Sequence, residues 1–166
     1  GMLAAKSEDV DFFISVAGPG RTADQIMMGQ FQTLDYQMQT EAEYILQELK
    51  SGFTVKNVNP AFHQVFRPGV QPYLISWLRY DPAMEISKLN IPVLIIHGQN
   101  DRQVPVEDAE ILSNACPHAK LKIIKNMGHV MKNNVQAGKD NLSTYTNPDI
   151  PVSNALIQTI IRFIYQ

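Results

Sequence analysis

Two short runs of this 166-residue chain hold the side chains with the clearest capacity for acid–base chemistry. They are His97-Gly98-Gln99-Asn100-Asp101-Arg102-Gln103-Val104-Pro105 and Asn126-Met127-Gly128-His129-Val130. A carboxylate beside an imidazole fixes the ring's tautomer, and it stabilises the imidazolium formed when the other nitrogen takes a hydroxyl proton. Asp101 and His129 make such a pair if their loops meet. Spacing alone leaves that reading level with plainer ones: Gly-Gln-Asn-Asp is also good turn chemistry, and a histidine after glycine can be satisfied by backbone. His97 closes an apolar run and reads as structural, while His63 and His118 carry no signal. None of the four histidines has HxH or HExxH spacing, so neither a metal nor a cofactor is expected. Gly18-Pro19-Gly20 lacks any GxGxxG or GxxxxGK frame and reads as a turn rather than a phosphate cradle.

The elements that must position these loops follow from periodicity. Asp11–Ala17 is a near-continuous apolar run closed by Gly18-Pro19-Gly20, the pattern of a strand buried on both faces, and PVLIIH at 92–97 and LKIIK at 121–125 read as a second and a third strand. Val106–Cys116 is amphipathic and entered through Pro105, so the last two strands and this helix form a βαβ unit and imply a parallel sheet. In an open parallel sheet the loops at the carboxyl ends of the strands converge on the ligand site, which puts Asp101 and His129 on one rim. Apolar residues recur at helical spacing from Thr22 to Lys50 without a proline, predicting one long helix ended by Gly52. Short helices follow, the last over Tyr73–Tyr80, and Val152–Tyr165 reads as a strongly apolar helix packed on the sheet. Asn133–Pro151 is polar and reads as a surface loop.

Composition narrows the function classes. A formal net charge of -2 gives no basic footprint for nucleic acid. The 45% hydrophobic fraction is ordinary for a globular domain, and no apolar run reaches the roughly 20 residues of a membrane span. Cys116 is the single cysteine, so no intrachain disulfide is expected, and a small buried thiol is the simpler reading. Met2–Asp9 has no signal-peptide core, which leaves the cytoplasm as the default location. Gly1 ahead of Met2 reads as a leftover of expression.

From Leu89 to Lys132 the sequence LNIPVLIIHGQNDRQVPVEDAEILSNACPHAKLKIIKNMGHVMK resembles the C-terminal signature of the α/β-hydrolase superfamily, in which HGxxDxxVP presents the triad acid and a later GH the base. Acid before histidine is also the chain order of that fold. The resemblance therefore implies that Asp101 is the acid and His129 the base. VAGPGRTADQIMMGQ and FRPGVQPYLISWLRYDP are similar to segments of an esterase, lysophospholipase and peptidase-like branch, the second within a helical cap. It extends over nearly the whole chain. It implies a partial α/β-hydrolase fold with parallel strands and flanking helices in one domain, 1–166, with 21–85 as a cap-like insertion. By the same likeness Arg67, Gln71, Tyr73, Trp77 and Tyr80 are candidates to face a small ester or amide substrate, against the plainer reading of a Tyr/Trp stripe as cap packing.

One part of that pattern is not found in the sequence. The family's nucleophile sits on a GxSxG elbow beside an oxyanion hole, and no serine from Ser7 to Ser153 has the flanking glycines. Met2–Asp9 resembles the tail of the helix after the elbow, so the expectation is a truncated frame, a domain fragment or one piece of a split gene, inactive alone. The alternative is a non-catalytic binding or assembly module. Truncation would leave the strand at Phe12–Val16 without a neighbour, and a homo-oligomer is expected that pairs at this strand or exchanges the Thr22–Lys50 helix.

Overall fold

A computed structural model describes residues 1–133 and 142–166. In chain order the elements are β1 (Phe13–Val16), α1 (Ala23–Phe31), α2 (Tyr36–Lys50), α3 (His63–Phe66), α4 (Gln71–Leu78), α5 (Pro82–Ile86), β2 (Val93–Gly98), α6 (Val106–Ala115), β3 (Lys120–Ile124), α7 (Leu142–Thr146) and α8 (Asn154–Ile164). Short 3₁₀ turns lie at Ala4–Lys6 and Pro60–Phe62. The chain divides into two compact units, one of Gly1–Gly20 with Pro82–Gln166, the other of Arg21–Asp81.

The first unit is the α/β part. Its three strands are all parallel in the order β1-β2-β3, with Phe13 opposite Val93, and Leu94 opposite Lys120. Every residue of β2 is buried, as its unbroken apolar run requires of a central strand covered on both faces. On one face Val93 and Ile95 pack with Ile86, Leu89, Ala109, Leu112 and Cys116. On the other, Leu94 and Ile96 pack with Ile124, Met127 and Leu156. Alternation along β2 thus divides the core between α6 and α8.

Only one stripe of α8 is used in this packing. Leu156, Ile160 and Phe163 join the sheet, whereas Ile157, Ile161 and Ile164, spaced by four and three, are 43%, 42% and 43% exposed. Thus α8 is apolar on two faces and the sheet covers one. Gly20 is packed so closely on α6 that an added Cβ would lie 2.3 Å from the Asp108 carbonyl oxygen, and its N–H donates to the Asp108 carboxylate at 2.9 Å. The glycine is therefore needed for close approach to the helix. Lys6 and Lys88 both pair with Glu85, which ties the amino-terminal turn to α5.

The second unit is helical. Ile45, Leu46 and Leu49 of α2 pack with Leu74 and Leu78 of α4 and with Phe62 and Phe66. Phe31, Phe62 and Phe66 form a ring cluster with centroids 5.4–5.9 Å apart. The single helix expected over Thr22–Lys50 is two helices. Asp35 caps α2 by accepting from the Met38 N–H at 2.9 Å, and the Gln39 amide donates to the carbonyls of Gln32 and Leu34, which satisfies the end of α1. Among the described residues, no helix is long and apolar enough to cross a membrane. The surface loop expected over Asn133–Pro151 lies partly outside the described residues and contains α7.

Candidate active site

Because β2 and β3 are parallel, the loops that follow them leave the same rim of the sheet. They are also joined through their backbones. The Gln99 N–H donates to the Ile124 carbonyl at 2.9 Å, and the Asn100 N–H to the Met127 carbonyl at 3.0 Å. Gly98 lies against Met127 so tightly that no side chain fits between them. The second loop turns through left-handed residues Asn126 and Met131, at φ 61 and 62. It closes with the Gly128 N–H donating to Lys132 and the Met131 N–H to Gly128, each at 3.0 Å. His129 sits inside that turn.

Asp101 and His129 are in direct contact at this rim. The His129 Nδ1–H donates to Oδ2 of Asp101 at 3.0 Å, and the Asp101 side chain is fully buried while that of His129 is 31% exposed. The other carboxylate oxygen, Oδ1, accepts from the backbone N–H groups of Gln103 at 3.0 Å and Val104 at 2.9 Å. Asp101 thus organises its turn with one oxygen and meets an imidazole with the other. The carboxylate holds the proton on Nδ1 of His129, leaving Nε2 as the nitrogen able to accept one.

Of two neighbours, one reads as structural in the sequence and the other carries no signal there. His97 is completely buried, and its Nε2 lies 2.8 Å from the Val104 carbonyl and 3.7 Å from Oδ2 of Asp101. The Gln103 amide donates to the Tyr145 hydroxyl at 2.9 Å, linking the Asp101 loop to α7. No periodicity or motif marks Tyr145. His97 had a signal, since a histidine that ends a buried strand must find a partner for its ring.

Of the residues proposed to face substrate, Gln71 is fully buried, accepting from the Val55 N–H and donating to the carbonyls of Val55 and Phe66. Its amide braces the helical unit's own chain. Tyr73 and Trp77 lie side by side on α4 with ring centroids 6.1 Å apart, and Tyr80 follows the helix 42% exposed. Arg67 donates to the Gln64 carbonyl at the end of α3.

A groove of about 610 Å³ lies at the opposite, amino-terminal ends of the strands, bounded by Phe12, Pro92, His118, Lys120 and Phe163. Asp101 and His129 are not part of it. Cys116 is buried next to His118, and burial pushes its thiol pKa upward, away from the thiolate form that attacks carbonyls.

Residues 4–136 match the model of the family described as serine hydrolase (FSH1), and the chain belongs to that family. It is similar to Lipase 3 of Moraxella sp. (strain TA144), 26% identical over 102 residues that make up 61% of this chain and 31% of that protein. Among solved structures it is similar to a bromoperoxidase from Bacillus anthracis, with TM-score 0.51 and 16% identity over 98% of this chain and 63% of that one. It is likewise similar to MGS-MChE2, an alpha/beta hydrolase from the metagenome of lagoon sediments of Mar Chica, Morocco, with TM-score 0.50 and 19% identity over 99% and 55% of the two chains. A thermophilic esterase from Thermogutta terrifontis gives TM-score 0.50 and 15% identity over 99% and 60%. These likenesses establish the α/β-hydrolase fold. The chain spans about a third of the curated relative and little more than half of the structures it matches.

Proposed function

We propose that this chain furnishes the acid–base half of a serine hydrolase for ester or amide bonds of small molecules. The observation that carries the reading is the 3.0 Å hydrogen bond from Nδ1 of His129 to Asp101 at the carboxyl rim of the sheet. In this reading a serine on a GxSxG elbow outside the 166 residues attacks the substrate carbonyl while Nε2 of His129 takes its proton. The imidazolium, held against Asp101, returns that proton to the leaving group as the acyl-enzyme forms. Water then attacks the acyl carbon with His129 again as base, releasing the acid and restoring the serine. The cap-like insertion 21–85 carries Arg67, Tyr73, Trp77 and Tyr80 as the residues that meet substrate, with Gln71 bracing it from within. The default cytoplasmic location belongs to the same reading.

Self-association is a further part of it. Among the described residues β1 has a strand partner on one side only, which supports pairing with a second copy along the other. Light scattering at rising concentration tests this, and a strictly monomeric profile counts against it.

Purified alone, the chain is expected to hydrolyse p-nitrophenyl esters negligibly. Joined to an in-frame upstream GxSxG segment, it is expected to give a burst of p-nitrophenol, with turnover reduced by about six orders of magnitude in His129→Ala. A burst from the isolated chain that His129→Ala abolishes would overturn this division of labour. If the longest product in the native cell fails to label with a fluorophosphonate, a non-catalytic binding or assembly module becomes the better reading.

A further inference from the structure

We propose that His97 is a positioning residue for the acid–base pair, acting by clamping the loop that carries Asp101. The hydrogen bonds form one continuous series. Nε2 of His97 lies 2.8 Å from the Val104 carbonyl, and a carbonyl can only accept, so this nitrogen carries the ring proton. The N–H of the same Val104 donates to Oδ1 of Asp101 at 2.9 Å, and Oδ2 of Asp101 accepts from Nδ1 of His129 at 3.0 Å. Val104 is thereby held at both its backbone groups, one by His97 and one by the acid. The contact spans seven residues and closes the base of the Gly98–Val104 loop, so it holds in place the Val104 N–H against which the carboxylate is set. Nε2 also lies 3.7 Å from Oδ2, where the positive end of its N–H dipole favours the charged carboxylate.

The remaining ring nitrogen separates this role from packing. Nδ1 of His97 is buried and has no hydrogen-bond partner among the described residues. A residue present only to fill the core would not carry an unpaired polar atom, since a leucine fits a similar space without that desolvation cost. The donor at Nε2 is what a leucine cannot supply. The inference rests on the reading of Asp101 as orienter and His129 as base, and it adds the group that fixes the orienter.

The test is nitrogen-15 NMR of the imidazoles in the full 166-residue chain, comparing wild type with His97→Leu and His97→Gln. Glutamine places an amide nitrogen as far from its backbone as Nε2 of histidine and retains the donor. In His97→Leu the Nδ1 proton of His129 is expected to exchange with water roughly tenfold faster, about the weight of one hydrogen bond. In His97→Gln it should stay within about twofold of wild type. Exchange at His129 unchanged in a folded His97→Leu protein, even with a lowered Tm, would reduce His97 to a structural residue and overturn the proposal. Should His97→Leu not fold, the wild-type ring decides: the proposal requires the proton on Nε2 of His97 and fails if Nδ1 carries it. An upstream-extended enzyme without esterase activity, but with this exchange pattern intact, would count against the hydrolase reading and leave the clamp standing.

Discussion

Gly98 and Met127 meet without room for a methyl group: a Cβ on Gly98 would lie 2.3 Å from the Met127 carbonyl oxygen and 2.8 Å from its carbonyl carbon. The atoms it would strike belong to backbone, which cannot rotate aside as a side chain can. The same carbonyl accepts from the Asn100 N–H, so the contact holds the Asp101 loop against the His129 loop. Gly98→Ala is therefore expected to destabilise the protein by about 1–3 kcal/mol, as overpacked sites do. It should also weaken the His129 contact with Asp101. Urea unfolding measures the first, and loss of a slowly exchanging His129 ring proton the second.

Asp35 provides a test confined to the helical unit. Its carboxylate caps α2 through the Met38 N–H, at the point where α1 and α2 separate. Asp35→Ala is expected to cost about 1 kcal/mol. Asp35→Asn retains an acceptor and should cost less. Thermal denaturation of the three proteins side by side would show the order, and an alanine variant as stable as wild type would remove the cap from the account.

The pH dependence follows from Glu85. Hydrogen bonds from Lys6 and then Lys88, which outweigh the opposing effect of desolvation, hold its carboxylate below the ordinary glutamate range. A carboxyl with a depressed folded-state value binds its proton more readily when unfolded. Its contribution is therefore present above the unfolded value of about 4.3, and it is lost as pH falls through the lower folded value. Glu85→Gln should accordingly show less loss of stability between neutral pH and the acid side of that window. Denaturant midpoints at several pH values would reveal it, and parallel curves for the two proteins would refute it.

Local pattern made the sheet readable in advance. PVLIIHG is apolar without alternation, as suits a strand covered on both faces, and the runs at 11–17 and 121–125 lie within a residue or two of β1 and β3, although most of β3 is exposed. The meeting of Asp101 with His129 followed from parallel topology, which sends both loops to one rim. What escaped depends on longer contacts. The break between α1 and α2 contains no glycine or proline, only an aspartate whose capping role looks like any polar residue of a helix surface. The ring of His97 reaches seven residues forward, and Gln103 reaches forty-two residues to Tyr145, distances at which no periodicity carries information. The apolar character of α8 was evident, but a sequence does not say how many sides of a helix its neighbours will cover.

The two oxygens of Asp101 have separate partners, and this removes a freedom that an amide at the same position would otherwise have. An asparagine there would have to present its carbonyl oxygen to the Gln103 and Val104 N–H groups, because its NH₂ has nothing to offer them. That choice turns the NH₂ toward His129, donor against donor. The ring could answer only by moving its proton to the outward nitrogen, where it would block the uptake of another. A change of one atom, with shape retained, would thus set the imidazole in the orientation that cannot serve as a base.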